Sequence, residues 1–543
     1  MFYKNNFSYI LFLFLDLLFC QNFNYDNDDW YILTQPGVIN SIAEDNYNVY
    51  FVAENGIYTY NKMTEDIKYD YAFSIQSNFN KIRYMMYDEF RDYYWIVHSS
   101  GVSFKSSVSS IWRDMSFSNS GIFNVYQIDD LGYSPEYIWI RSMDALYPFD
   151  PFTAQFIKLE EASREVDMIN WGHSKHGVSG EDINISSFLI EGEWFVGINR
   201  IYSNQKDMEL HPNLLMEDKE GNLWFGTDEG YLLKGWRHSN RLELIRIGLP
   251  FKNVTISFLD SDGDWWFSDS QFKRTGELLN SKNNNDPFIA SWKESDNYWT
   301  FYDGKKSHVI QNMDVNSINR NGSIMYFGTM SGLLYLDLYD NVWNIISTSN
   351  GLNDFAIWDM IEYDNSMYVA TTNGINEISL INHSVIPDRQ KQFDFLLRVP
   401  VYDLIADSNY FYLATDLGLF EMNWEIGKPQ LITEKIFKKI KLYDDEMFGL
   451  DDHLWSIDIH GGKEKKMVSN IHDFDICNSH IWVSERNKAR IIQLNTNFAM
   501  DYDYLDGIPG NKIFGIECDE EWVWFLTNDG VAFYKWGNYH QEN

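Results

Sequence analysis

Asp260-Ser-Asp262-Gly-Asp264 places three carboxylates at alternate positions, as a calcium loop does at its start. Trp265 and Trp266 stand where the later oxygen donors belong, and no bidentate Glu follows, so the segment reads as a tight turn. His173 and His176 lie close together with His211 further on, but no Cys or further His joins them at a metal-ligand spacing. No Gly-x-Ser-x-Gly elbow, no phosphate-cradling Gly-rich loop with Lys and no His-Glu-x-x-His is present. The sequence therefore leads us to expect no catalytic set, no cofactor and no metal site, with the binding residues left unassigned. Trp171 and Trp292 fall outside the recurring aromatic positions described below and are candidates for stacking on a sugar. Cys477 and Cys518 remain once the N-terminal segment is set aside. They are offset by one residue relative to Trp482 and Trp524, and the expectation is two buried thiols rather than a bridge.

Composition narrows the partners. Among 543 residues, 79 acidic side chains face 43 basic ones, a formal net charge of -36 that repels phosphate backbones and anionic lipid. Nucleic acid is therefore not an expected partner. Aromatics make up 17 % of the chain, too many for a disordered polymer, and three Cys exclude a disulfide scaffold. Residues 1–20 read as a secretory signal peptide: one Lys, then an apolar run from Tyr9 to Phe19 too short to span a bilayer. Cys20 lacks the small residue before it that lipidation favours. No later stretch is apolar enough to span a bilayer, so after cleavage no integral membrane segment is expected. The chain is expected to be exported, to the periplasm or to the cell surface and beyond.

What positions these residues is a repeat. Asp218-Lys-Glu-Gly221-Asn-Leu-Trp224-Phe-Gly226-Thr227-Asp-Glu-Gly230 recurs in full as Asn319 to Gly332 and in its first half as Asp260 to Ser268. Weaker copies centre on Tyr50, Trp95, Trp139, Trp194, Tyr368, Tyr412, Phe448, Trp482 and Trp524, making twelve, mostly 34 to 45 residues apart. Each reads as an apolar strand, an Asp/Asn/Gly turn, a strand carrying a large aromatic, a Thr-x-x-Gly turn and one or two further strands. A sheet of that size cannot bury both faces, so neighbours must stack with the aromatics between them.

The Asp218–Gly230 motif, with Asn350-Gly351-Leu352-Asn353 ahead of another copy, resembles the two-component regulator propeller repeat. That resemblance implies an all-β fold of two consecutive β-propellers, about six and possibly seven four-stranded blades each. It also implies kinship with exported propellers, such as the periplasmic sensor regions of hybrid histidine kinases and the twin-propeller accessory protein of type IX secretion. No membrane helix or kinase domain follows Trp536, which argues against direct signalling across a membrane. The motif also resembles the Asp-box turn of sialidases, which is structural there.

Two outer-strand patterns, at Trp30 to Thr34 and Trp299 to Tyr302, suggest propeller 1 over residues 22–282 and propeller 2 over 283–543. The gaps of 55 residues after Trp139 and 60 after Trp266 are where additional copies would hide. The expected function is a non-catalytic exported propeller that binds an envelope or secreted protein, or a glycan. Loops 35–38, 248–250, 350–353 and 506–510 should share one face with the Thr-x-x-Gly turns. The alternative is a polysaccharide-acting enzyme, favoured if three or more Arg, His, Tyr or Glu converge at one channel mouth.

Overall fold

The computed structural model describes residues 29–540 apart from segments 71–72, 74–81, 116–124, 175–186, 191–193, 197–200, 205–208, 271–288, 303–308, 310–312 and 425–426. The single residues 100, 110, 144, 297, 388, 495 and 497 are also left out. The expected signal segment, residues 1–20, lies outside the described residues.

The described chain folds into twelve small sheets, nearly all of them antiparallel. In order they occupy residues 39–69, 82–114, 128–156, 194–210, 212–246, 256–302, 315–346, 357–379, 401–433, 439–469, 473–502 and 513–534, numbered here 1 to 12. Each of the twelve recurring aromatics falls in a different sheet, and every one is buried. The all-β propeller architecture expected from the repeat is present.

The motif's polar letters explain its turns. Asp218 Oδ1 accepts the Asn222 N–H at 2.7 Å, and its Oδ2 accepts the Trp224 indole N–H at 2.8 Å. Asp260 does the same for Asp264 at 3.0 Å and Trp266 at 2.9 Å. One carboxylate thereby closes the hairpin and satisfies a donor that would otherwise be buried alone. In the second turn the Thr527 hydroxyl donates to the Gly530 carbonyl at 2.9 Å and accepts the Asp529 N–H at 3.1 Å. Gly530 has φ +113°, and a Cβ there would lie 2.1 Å from the Leu33 carbonyl, so no side chain fits.

Apolar clusters join the sheets in a definite order. Sheets 6 to 12 form a cycle in which each packs on the next, from Trp266 against Phe327 through to Trp482 against Phe525. Trp265 and Phe267 of sheet 6 then pack with Trp524 and Phe533 of sheet 12 and close it. Sheets 1 to 5 form an arc in the order 3-2-1-5-4, for example Trp95 with Ile138 and Phe51 with Trp224.

The N-terminal strand decides how the two groups connect. Trp30–Leu33 pairs in register with the last strand of sheet 12, Trp30 opposite Tyr534 and Leu33 opposite Val531. The described chain thus begins in the cycle, crosses to the arc, and returns to complete the cycle. The two crossings run side by side: the Leu249 N–H donates to the Thr34 carbonyl at 3.0 Å, and Gln35 Nε2 to the Pro250 carbonyl at 2.9 Å. The expected boundary at 282/283 falls outside the described residues, but the strands flanking it, Asp264–Ser268 and Ile289–Lys293, pair with each other. Both belong to sheet 6, so a division there would cut a sheet.

Trp30 is buried and stacked 4.6 Å from Tyr534. Trp30→Ala should cost about 3–5 kcal/mol and lower the unfolding midpoint seen by calorimetry. Beside this seam, His540 bonds the Tyr502 hydroxyl at 2.7 Å, and burial with the nearby His480 pushes its pKa down to about 4. A histidine held neutral in the fold stabilises it fully above its unfolded pKa near 6.5. Stability should therefore fall by at most about 1.4 kcal/mol per pH unit between roughly pH 6.5 and 4, and His540→Gln should flatten that slope in denaturant titrations.

Candidate functional site

The innermost strands share an irregularity that aims side chains. In Ile39–Glu44, Ile82–Asp88, Ile128–Tyr133 and Pro212–Glu217 the register slips at the second residue, inserting Asn40, Arg83, Asp129 and Asn213. In the cycle the same slip occurs in Val315–Asn321, Ile357–Tyr363, Val401–Ala406 and Ile513–Cys518, inserting Asn316, Trp358, Tyr402 and Phe514. A bulged residue has no ladder partner, and the local bend re-aims it; bulges recur at such rims for that reason. Immediately below, carboxylates tie one innermost strand to the next. Asp359 accepts the Leu404 N–H at 3.1 Å, Asp403 that of Ile440 at 2.7 Å and Asp473 that of Ile516 at 3.0 Å. These acids hold the scaffold, and the bulged residues above them are left to vary.

In the arc, the bulged Asn40 and Arg83 line a cavity of about 300 Å³ with Val38, Glu54, Ile82, Ser99 and Tyr126. The Arg83 guanidinium lies 5.7 Å from the Tyr126 ring and 5.8 Å from that of Tyr84, a cation–π arrangement. Asn213 donates to the Ile39 carbonyl and to Asp228, while its side-chain oxygen accepts nothing. The cavity thus offers donors, acceptors and one exposed aromatic.

A second cavity, of about 320 Å³, sits under a crossing segment. Asn170–Trp171 pairs with the innermost strand of sheet 3 and His173–Ser174 with that of sheet 1, so the segment bridges past sheet 2. Glu44, Glu89, Tyr87, Tyr133, Trp171 and His173 contribute to its walls. Glu44 is ion-paired with Lys62 at 2.9 Å and Glu89 with Lys219 at 2.6 Å. Burial raises the Glu44 pKa against the pull of Lys62, and burial alone lowers that of His173.

The residues singled out in the sequence separate clearly. Trp171 reaches a cavity, with the Arg141 guanidinium 4.0 Å from its ring. Trp292 is core, stacked 5.4 Å from Tyr31. His211 bonds Glu229 at the surface, His173 lies in the crossing segment, and His176 is outside the described residues. Asp260 and Asp262 both pair with Arg320 from sheet 7, which neutralises the oxygens a calcium ion would need. Loop 350–353 meets the turn of its own sheet, Asn373 Nδ2 donating to the Asn353 carbonyl at 3.0 Å, and next to loop 506–510 the Asn511 N–H donates to Asn528 Oδ1 at 3.0 Å.

The cysteines depart from expectation. Cys477 and Cys518 form a disulfide, their Cα atoms 6.2 Å apart. Both end innermost strands of adjacent sheets, and Asp475 Oδ2 accepts the Cys518 N–H at 3.1 Å, which draws the two strand ends together. The one-residue offset seen in the sequence is absorbed by the bulge at Phe514. Reduction, or Cys477→Ser with Cys518→Ser, should remove about 2–4 kcal/mol of stability, read as a lower urea midpoint under reducing conditions. Adding calcium to the intact chain should leave its unfolding midpoint unchanged, whereas Asp260→Ala should lower it by removing the cap of the turn and the Trp266 partner.

The family model "Two component regulator propeller" matches residues 211–229. No curated protein matches the chain. Among solved structures, the extracellular domain of a putative hybrid two-component system from B. thetaiotaomicron is 13 % identical, with 93 % of this chain and 71 % of that chain covered, at a TM-score of 0.41. PorZ, a surface component of the type-IX secretion system of Porphyromonas gingivalis, is 10 % identical, with 93 % and 87 % covered and a TM-score of 0.41. Virginiamycin B lyase from Staphylococcus aureus is 12 % identical over 52 % of this chain and 94 % of its own, at a TM-score of 0.39. Residues 211–229, which include Asp218 and Trp224, are similar to the two-component regulator propeller repeat.

Proposed function

We propose that the protein is a non-catalytic, exported recognition module. It consists of a propeller of sheets 6 to 12 closed by the N-terminal strand, with a second propeller unit of about residues 36–247 inserted behind that strand. One observation carries this reading: eight innermost strands repeat the same bulge while the residue it displays changes from Asn to Arg, Asp, Trp, Tyr or Phe. A constant backbone device presenting a varied side chain is what a recognition surface needs, and loops set on a rigid scaffold supply the rest. No helix among the described residues is long and apolar enough to cross a membrane. The partner is an envelope or secreted protein, or a glycan, reached in the periplasm or at the cell surface after removal of residues 1–20.

A second reading, an enzyme acting on polysaccharide, draws on the convergence of Arg83, Glu54 and Tyr126 in one cavity. Glycoside hydrolysis generally uses two carboxyl groups flanking the bond, and among the described residues the seven that line this cavity include one. Binding is thus the better fit. The test is affinity capture from the cell envelope of the source organism with the chain from residue 21 onward, alongside an assay for reducing ends released from polysaccharides. Recovery of a specific partner, weakened by Arg83→Ala with Tyr126→Ala, supports recognition. Release of reducing sugar with no partner recovered establishes the enzyme instead.

A further inference from the structure

The innermost strands of the arc end at a rim opposite their bulged residues, and there the cavity of about 320 Å³ lies under the crossing segment. Glu44 and Tyr133 are the last residues of the innermost strands of sheets 1 and 3, and Glu89 directly follows that of sheet 2. The crossing segment seats closely because Gly132 has no side chain: a Cβ there would lie 2.5 Å from Ile169 and 2.9 Å from the Trp171 ring. Close packing of this kind fixes Trp171 as a wall of the cavity.

The walls share one electrical sign. Among the described residues that line the cavity, Glu44 and Glu89 are acidic and none is Lys or Arg. His173 adds no charge, since burial lowers its pKa. Behind the walls, Lys62 is shared between Glu44 at 2.9 Å and Glu220 at 2.8 Å, and Lys219 pairs with Glu89 at 2.6 Å, so three carboxylates divide two ammonium groups. The surplus is felt inside. The Tyr133 hydroxyl is pushed up to about 12, by burial first and then by the negative charges of Glu89, Asp88 and Glu44, although Asp88 is itself paired with Arg91. The walls also carry the half-buried rings of Tyr87, Tyr133 and Trp171. Trp171 already takes one guanidinium, that of Arg141 at 4.0 Å from its ring.

We propose that this cavity binds an organic cation, an ammonium or guanidinium head group carried by a small amine or by a basic side chain of a partner polypeptide. Trp171 and Tyr133 supply aromatic surface for the head group, and Glu89 and Glu44 balance its charge. Aromatic rings attract a desolvated cation through their quadrupole, and the surrounding carboxylates disfavour an anion. The volume lies at the small end of the range for ligand sites and suits one head group rather than an extended chain. Glu89 and Lys219 are 45 % and 38 % exposed, so the cation enters beside an ion pair that costs little to exchange. A formal net charge of -36 draws cations to the chain from solution. The inference rests on the recognition reading above and gives one cavity of the arc a ligand chemistry.

The test titrates the full chain from residue 21, at low ionic strength, with tetramethylammonium and with an N-acetylated, C-amidated Gly-Gly-Lys-Gly-Gly peptide, read by saturation-transfer NMR. Both should bind saturably and weaken as salt rises, with their neutral counterparts, tert-butanol and the norleucine peptide, about tenfold weaker. Trp171→Ala should lose about tenfold in affinity, Trp171→Tyr should retain most of it, and Glu89→Gln should lose about fivefold. Lys219→Ala should instead tighten binding about threefold by freeing Glu89, a gain that a merely structural role would not produce. Circular dichroism and the unfolding midpoint establish that each variant is folded, and Glu89→Gln with Lys219→Ala decides should Trp171→Ala fail to fold. Tighter binding of the peptide assigns the cavity to a partner's basic side chain, and tighter binding of tetramethylammonium assigns it to a free amine. Absence of saturable binding by either cation, equal binding of the neutral counterparts, or undiminished affinity in the folded Trp171→Ala or Glu89→Gln variant overturns the proposal. Saturation by glucose at a lower concentration than either cation overturns it in favour of a sugar. Failure of both cations to bind while an envelope partner is still captured overturns this assignment alone and leaves the recognition reading intact.

Discussion

Burial of large aromatic rings between neighbouring sheets is the interaction on which the rest of the molecule depends. No single sheet has a core of its own: Trp482 needs sheet 12, Trp266 needs sheet 7, and Trp524 with Phe533 needs sheet 6. Such a stack has two raw ends unless it closes, and an open edge strand invites pairing with other chains. Trp30–Leu33 completes the last sheet of the cycle with four residues drawn from the opposite end of the chain. Closure therefore makes the start of the sequence and its finish one cooperative unit, and it fixes where the arc is inserted.

Once the stack is rigid, function is left to what projects from it. The carboxylates nearest each channel take part in strand-to-strand bonds or ion pairs, as at Asp359, Asp403, Glu44 and Glu89. Glu517 illustrates the same use: it is buried, its pKa is pushed up by that burial, and its oxygen accepts the Trp524 indole N–H at 3.0 Å. The arc displays Arg83, Asn40 and Tyr126 around a polar cavity, and the cycle displays Trp358, Tyr402 and Phe514 flanked by lysines. The two mouths are chemically distinct.

Much of the fold was legible because the repeat's letters have local physical jobs. Asp218 and Trp224 are six residues apart because one carboxylate closes a turn and caps an indole, and Thr527 and Gly530 are three apart because a hydroxyl and a positive φ make the next turn. Twelve such aromatics identified twelve sheets. Connectivity was less legible: which sheet Trp30 joins is a matter of long-range pairing that no spacing encodes. The site was least legible of all. A bulge of one residue has no composition of its own, so Arg83, Trp358 and Tyr402 read simply as parts of apolar strands, and the nearness of Cys477 to Cys518 depends on how two innermost strands end. Trp171, which stood outside the repeat register, was the exception that did mark a cavity.

Hydrogen–deuterium exchange across the terminal seam tests the central claim most directly. If the cycle is closed by the N-terminal strand, amides of residues 30–33 exchange as slowly as those of 530–534 and are released together as denaturant is raised. Rapid exchange at 30–33 while 530–534 stays protected would contradict closure, and with it the insertion of the arc between the first and second strands of the chain.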